Sequence, residues 1–168
     1  IGEQALAVQN LTTATNTYNT AVGFQAGAAV TTGTFNVLIG GLAGDALTDA
    51  DYNIGVGYAA LGADTLGSRS TAVGHNALAQ QNFTTATDAY NTAVGMLAGY
   101  SVTTGIQNTI VGALAGDALT DADFNVAIGI QALSGDTLGS GTTAVGAATL
   151  AAQNFTTATN SYNTALGY

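Results

Sequence analysis

The chain has 168 residues, a formal net charge of −9 and a single Lys or Arg side chain. Nucleic acids and anionic membranes are poor partners for such a chain, because phosphate groups are bound chiefly by Lys and Arg. The absence of cysteine excludes disulfides and thiolate metal sites. No apolar run approaches the ~18 residues that indicate a membrane-spanning helix.

A five-residue pattern beginning at Asn19 recurs along the chain and organises it. It opens with a polar residue and ends with a branched aliphatic residue followed by glycine. Successive starts are separated by 17, 17, 17 and 21 residues, and the same four intervals then repeat. Self-similarity at a short, fixed period is typical of a solenoid. The starts are Asn19, Asn36, Asn53, Ser70, Asn91, Asn108, Asn125, Thr142 and Asn163.

Each repeat unit, called a rung below, is predicted to contain two short strands. The pentad from Asn19 to Gly23 alternates between faces with the strand period of two, which favours a strand of about five residues. Glycine then allows a bend, and a second strand is predicted at Gln25-Ala26-Gly27 and its equivalents, such as Ala60-Leu61 and Ala77-Leu78. Because glycine recurs within every two turns, a helix is excluded. The sequence therefore predicts an all-β parallel β-solenoid, or β-roll.

The four intervals form a super-repeat of 72 residues. Gly44 to Asp51, for example, returns unchanged as Gly116 to Asp123. Residues 1–168 are interpreted as one repeat array, with super-repeats at about 1–72 and 73–144 and a partial one at 145–168. Because Ile1 and Tyr168 fall within the pattern, we expect a window of a longer fibre whose end rungs are covered by more of the same stack.

Stacking at the ~4.8 Å strand spacing places equivalent residues in columns. The opening Asn column is predicted to form an amide ladder, or alternatively to be a set of turn-favouring residues. The column before it predicts stacked rings along the edge, or alternatively a sugar-binding strip. The Val and Ile column is interpreted as the core. The aromatic members are Tyr18, Phe35, Tyr52, Tyr90, Phe124 and Tyr162, and Arg69, Gln107 and Gly141 interrupt them.

The unit Asn-Thr-Ala-Val-Gly-x-x-Ala-Leu/Gly, seen at Asn19 to Gly27, resembles the head repeat of trimeric autotransporter adhesins, the YadA-like left-handed parallel β-rolls. It is also similar to repeats of phage and viral fibre proteins. The resemblance extends over every rung, although the rungs here are longer. It implies a left-handed roll in which three chains pack about one axis and serve surface attachment. It further implies an extracellular, cell-surface or virion location and a cell-surface or glycan receptor.

Elementary energetics also favour association of chains. A rung contributes one large aliphatic residue reliably and otherwise mainly Ala and Gly, so a thin roll gains little from burial at ~25 cal/mol per Å² of apolar surface. Lateral association would supply the missing burial. We therefore expect a homotrimer, with a single-chain solenoid and a head-to-tail filament as the alternatives.

Two acidic turns are the candidate metal sites. Three carboxylates within seven residues, with no Lys or Arg nearby, are the hard oxygen ligands that suit calcium. The alternative is a solvated loop that keeps the fibre soluble. The turns from Gly62 to Gly67 and from Gly135 to Gly139 are also similar to those of calcium-binding RTX β-rolls. The candidate ligands are Asp45, Asp49, Asp51, Asp117, Asp121 and Asp123.

The lengthened rung carries an N-glycosylation triplet at one super-repeat position, beginning at Asn10, Asn82 and Asn154. Catalysis is not expected, since the single histidine, His75, is replaced by Ala147 in the next super-repeat. Ice-binding solenoids present unbroken Thr arrays, whereas the second pentad position here varies among Thr, Val and Ile. The sequence favours a non-catalytic structural or adhesive fibre, with ice binding or calcium binding as the alternatives.

Overall fold

The computed structural model describes residues 2–12 and 14–168. Ile1, with the truncated first pentad expected there, and Thr13 lie outside the described residues. The described part of the chain consists of strands and turns without a helix, and its strands form a parallel solenoid, so the predicted fold is confirmed. The main-sheet strands are β1 (Thr20–Val22), β2 (Val37–Ile39), β3 (Ile54–Val56), β5 (Thr71–Val73), β7 (Thr92–Val94), β8 (Thr109–Val111), β9 (Val126–Ile128), β11 (Thr143–Val145) and β13 (Thr164–Leu166). Four two-residue strands are β4 (Gly67–Ser68), β6 (Thr87–Asp88), β10 (Gly139–Ser140) and β12 (Thr159–Asn160).

The nine main-sheet strands pair in parallel and in register, each with the equivalent strand of the next rung. Thr20 pairs with Val37 over a 17-residue interval, and Thr71 pairs with Thr92 over a 21-residue interval. Each interval therefore corresponds to one rung. The register predicted from the repeats is confirmed.

The longer rung accommodates its extra residues in a bulge. Leu66 donates its backbone N–H to Phe83 O, and Thr87 donates its N–H to Leu66 O. Phe83 and Thr87 thus contact the same residue of the previous rung, and the residues between them are exposed. Strands β4 and β6 pair beside the first bulge, and β10 and β12 pair beside the second. The bulge leaves the main sheet undisturbed.

The strands are shorter than the predicted five residues because left-handed backbone flanks them. Tyr18, just before the opening Asn, has a φ of 51°, and Gly23 has a φ of 135°. Both positions have positive φ in rung after rung, as in Phe35 at 59° and Gly40 at 134°. An extended strand cannot continue through such residues, so it ends after three.

The predicted second strand is wrong, since the chain forms consecutive β-turns there. Ala26 donates its N–H to Gly23 O at 3.3 Å, and Ala28 donates to Gln25 O at 3.1 Å. Gln25 has a φ of 54° and Gly27 one of 61°, as the third residue of a type II turn requires. These turns still bond to the next rung, because Gly27 donates its N–H to Ala43 O at 2.9 Å.

The interpretation of the Val and Ile column as the core is also wrong. Each main-sheet strand turns its middle residue inward, so Leu38 and Ile110 are fully buried. The neighbouring aliphatic residue points outward, and Ile39 remains 39% exposed. The predicted alternation of side chains between the two faces of the strand is confirmed. The face that carries the Val and Ile column, however, points outward and not into the core. The turns supply the rest of the interior, with buried Ala and Leu columns that include Ala43 and Leu47.

The opening Asn column lies inside and forms a ladder between rungs. Asn36 Oδ1 accepts the backbone N–H of Asn53 at 2.9 Å, and Asn36 Nδ2 donates to Ala50 O at 2.7 Å. Asn53 makes the equivalent bonds to Ser70 N and Gly67 O. The predicted amide ladder is therefore present, but its bonds run mainly from side chain to backbone.

Candidate functional site

The first acidic turn is held by hydrogen bonds from the preceding rung. Thr32 Oγ1 donates to Asp49 Oδ1 at 2.6 Å. The backbone N–H and the hydroxyl of Thr34 donate to Asp51 Oδ1 at 2.7 and 2.8 Å. These two carboxylates therefore link successive rungs. In the second acidic turn the acceptors are Asp121 and Asp123 and the donors are Thr104 and Ile106.

Asp45 and Asp117 are half-buried, and loss of hydration raises the pKa of both carboxyl groups. Asp117 Oδ1 is buried without a hydrogen-bond partner. Across residues 2–12 and 14–168, no three His, Cys, Asp or Glu side chains are gathered closely enough to hold a metal ion. The structure does not bring the three carboxylates of either acidic turn together, and calcium binding stays a prediction.

A buried polar network joins the lengthened rung to the rungs on either side. Asp64 Oδ1 accepts the backbone N–H groups of Gly67 at 3.0 Å and Phe83 at 3.1 Å. Asp64 Oδ2 accepts from Gln81 Nε2 at 2.5 Å. Gln81 Oε1 in turn accepts from Asn91 Nδ2 at 2.8 Å. Every donor in this chain of bonds faces an acceptor, and burial lets the bonds reinforce one another.

The same network recurs one super-repeat later. Gln153 Nε2 donates to Asp136 Oδ2 at 2.6 Å, and Asn163 Nδ2 donates to Gln153 Oε1 at 2.7 Å. Asp64 and Asp136 belong to the turns that are similar to RTX calcium loops, yet both lie in the interior with their oxygens accepting protein hydrogen bonds. Burial outweighs these bonds at Asp64 and raises the pKa of its carboxyl. The recurrence of Gln81 as Gln153 was the sequence signal for this network.

The three candidate glycosylation residues, Asn10, Asn82 and Asn154, are all exposed. Asn82 Oδ1 accepts from Thr65 Oγ1 at 3.0 Å, and Asn154 Oδ1 accepts from Thr137 Oγ1 at 3.1 Å. Asn82 and Asn154 directly precede the bulges of the lengthened rungs. Sugar attachment stays a prediction.

The aromatic column stacks as predicted in its first rungs. The ring centroids of Tyr18 and Phe35 are 5.1 Å apart, and those of Phe35 and Tyr52 are 4.9 Å apart. Interplanar angles of 21° and 10° show that the rings lie face to face. Both faces of Phe35 are therefore covered by its neighbours. A sugar ring packs on an aromatic face, so this geometry favours packing over the sugar-binding strip.

Arg69 continues the column that it was expected to interrupt. Its guanidinium carbon lies 4.8 Å from the ring centroid of Tyr52 and 5.8 Å from that of Tyr90. Its Nε also lies 2.9 Å from Asp88 Oδ1. The cation is thus held between two aromatic rings, whose faces attract positive charge.

The outer surface of the main sheet is largely apolar. We call it the sheet face, defined by the outward first and third residues of the nine main-sheet strands, the aromatic column, and the column that follows the pentad glycine. The outward strand residues are Thr, Val, Ile and Leu, and none is charged. The exposed large apolar residues of this face outside the aromatic column are Val22, Phe24, Ile39, Ile54, Tyr58, Val94, Met96, Ile128, Ile130, Leu166 and Tyr168.

Comparison of the chain with protein-family models, with curated proteins and with solved structures gives no match. The geometry described above therefore carries the functional argument. In the described residues, no helix has the length and apolar character needed to cross a bilayer.

Proposed function

We propose that the chain is a non-catalytic structural segment of an extracellular fibre with an adhesive role at a cell surface or on a virion. The observation that supports this is the continuous register of nine rungs, bonded to one another through strands and turns. A structure that repeats by translation lengthens with each added rung. Each rung adds ~4.8 Å to the length of the solenoid, and an elongated segment of this kind suits a fibre.

The proposal includes assembly of several chains, most simply a homotrimer. The interior consists largely of Ala, with one or two large side chains in a rung, such as Leu38 and Leu47. At ~25 cal/mol per Å² of apolar surface, so narrow a core gives each rung little stability of its own. Contacts between chains would add the burial that a rung lacks.

Ice binding is the alternative that a Thr-rich solenoid raises. The outward first column contains Thr20 and Thr109 but also Val37, Ile54 and Val126. The rows of hydroxyl groups are therefore interrupted every few rungs, which favours the fibre. Thermal hysteresis of the purified protein is the measurement that would support the alternative.

The fibre proposal is tested by adding length. A second copy of residues 73–144 is inserted after residue 144, which keeps every column in register. The four added rungs should extend the maximum dimension by about 19 Å in small-angle X-ray scattering, with an unchanged cross-section. A Gly/Ser insert of the same length, which should form a flexible loop, is the control. A thicker particle of unchanged length would refute the proposal.

A further inference from the structure

We propose that the sheet face is the surface through which further copies of this chain associate side by side. This inference rests on the proposed function and names the surface that performs its self-association. It follows from the direction of the third strand residue, which is aliphatic in every rung and points away from the core.

The apolar surface of the sheet face continues from rung to rung. Val22, Ile39 and Val94 are 41%, 39% and 37% exposed, although all three belong to strands. Single exposed apolar residues are ordinary on protein surfaces and need no explanation. An aliphatic column that runs through nine rungs, with rings on both borders, forms one contiguous patch, and such patches mark interaction sites.

The sheet face is also large enough to form a stable interface. Nine rungs at ~4.8 Å span about 43 Å across the strands, and the five residues of a pentad at ~3.3 Å span about 16 Å along the strand direction. The sheet face therefore measures about 700 Å² in each chain. Two such faces in contact would bury about 1,400 Å², which lies within the ~1,200–2,000 Å² of stable, specific interfaces.

The charge distribution of the chain favours a second copy as the occupant of the sheet face. The chain carries a net charge of −9, so two copies repel wherever their acidic turns approach. The outward strand residues of the sheet face are uncharged, its two border columns contain no Asp or Glu beside the nine main-sheet strands, and Arg69 in one of them is already paired with Asp88. This face can therefore meet its own copy without that penalty. Two copies also carry side-chain columns of the same spacing, so their rows can interdigitate rung by rung.

The test introduces one charge into the sheet face and the same charge elsewhere. Val94→Lys places an ammonium group in the outward column, where an isolated chain can keep it hydrated because Val94 is 37% exposed. Thr85→Lys adds the same charge in the exposed bulge and is the matched control. Mass is measured by light scattering, and circular dichroism verifies the fold of each variant.

We expect the native chain and Thr85→Lys to form an oligomer several times the 16.5 kDa chain mass, and Val94→Lys to be monomeric at the same concentration. If Val94→Lys fails to fold, the smaller, uncharged changes Val94→Thr and Ile128→Thr are combined in its place and should raise the dissociation constant at least tenfold. A Val94→Lys oligomer with the native mass would overturn this interface but leave self-association intact. A monomeric native chain would overturn the interface and the trimer, whereas the length experiment would still stand.

Discussion

At the scale of single residues, the buried Asn column bonds neighbouring rungs together. Asn108 Oδ1 accepts the backbone N–H of Asn125 at 2.9 Å, and Asn108 Nδ2 donates to Ala122 O at 2.8 Å. Asn108 is fully buried, so water cannot replace either bond. One side chain thus satisfies two backbone groups, one near the end of its own rung and one at the start of the next. In the lengthened rung Ser70 takes the Asn position, and Gln81 accepts the hydrogen bond from Asn91.

We predict that Asn108→Ala lowers the free energy of unfolding by about 2–4 kcal/mol, because it leaves a buried N–H and a buried carbonyl unpaired. The measurement is urea denaturation followed by circular dichroism. Asn82→Ala removes the same side chain from an exposed position and should change stability by less than about 0.5 kcal/mol. Equal losses of stability in Asn108→Ala and Asn82→Ala would show that the buried Asn ladder is not the source of the destabilisation.

The second prediction concerns pH. Burial raises the pKa of the Asp64 carboxyl above the value of about 4 that it has in the unfolded chain. At pH values between the unfolded-state pKa and the raised folded-state pKa, the folded protein binds more protons than the unfolded chain. The free energy of unfolding therefore decreases as pH rises through this range. We therefore expect the denaturation midpoint to increase when the pH is lowered from 7 towards 4.

Asp64→Asn is the variant that isolates this carboxyl. It removes the titrating group, so its increase in midpoint on acidification should be smaller than that of the native chain. Part of the increase should persist, because burial also raises the pKa of Asp45 and Asp117. A midpoint that decreases steadily from pH 7 towards 4 in the native chain would contradict the prediction.

At the scale of elements, the glycine that ends each main-sheet strand allows close approach between rungs. Gly40 has a φ of 134°, and a Cβ built on it would stand 2.6 Å from the carbonyl carbon of Gly57. At the next residue, Gly41, the nearest atom to a built Cβ is Tyr58 Cδ2 at 3.6 Å. Gly40 is therefore required for the close approach of the next rung, whereas Gly41 has room for a side chain. The sequence agrees, since Ala113 occupies the position equivalent to Gly41 in the next super-repeat.

We predict that Gly40→Ala destabilises the protein by about 3 kcal/mol or more, through its strained φ and its clash with the next rung. Gly41→Ala should be neutral or stabilising by up to about 1 kcal/mol, because it restricts only the unfolded chain. Urea denaturation of Gly40→Ala and Gly41→Ala under the same conditions measures the difference in their stabilities. Comparable stabilities would mean that the rungs can separate at little cost.

The sequence predicted the solenoid, its register and its inward–outward alternation because these depend on spacing, and spacing is explicit in the repeats. It could not indicate which face is inside. An Asn or an aliphatic residue can each face inward, and the choice depends on whether the Asn side chain finds backbone partners, as Asn36 does. It also could not show the left-handed backbone at Leu42 and Tyr52, since bulky residues disfavour positive φ. Only the bonds between rungs compensate for that cost.

At the candidate sites, the sequence located carboxylates but not their environment. Asp49 and Asp64 belong to similar Gly/Asp/Thr-rich turns, yet one is exposed and the other is fully buried beside Gln81. That difference arises from contacts with residues in neighbouring rungs. The identity of Arg69 as a member of the aromatic column was missed for the same reason.

At the scale of the whole molecule, each rung within residues 2–12 and 14–168 bonds only to its two neighbours, so whole rungs are expected to be removable. Deleting residues 37–53 joins Asn36 to Ile54 and preserves every column. We predict a folded, cooperatively unfolding chain whose urea m-value falls by about a tenth, in proportion to the surface lost. Deleting residues 38–53 instead removes one residue fewer and puts each strand residue on the opposite face at the junction. This variant should lose several kcal/mol, and equal stability of the two would contradict the prediction.

In the proposed side-by-side assembly, the super-repeat has a consequence for how two copies would align along their common axis. Residues 44–51 and 116–123 are identical and lie four rungs apart, so a displacement of about 19 Å brings nearly the same side chains into contact again. Repeated residues therefore cannot distinguish the correct alignment from the displaced one. Only the departures from the repeat can do so, such as Arg69 against Gly141 or His75 against Ala147. The least regular residues of the chain carry its positional information.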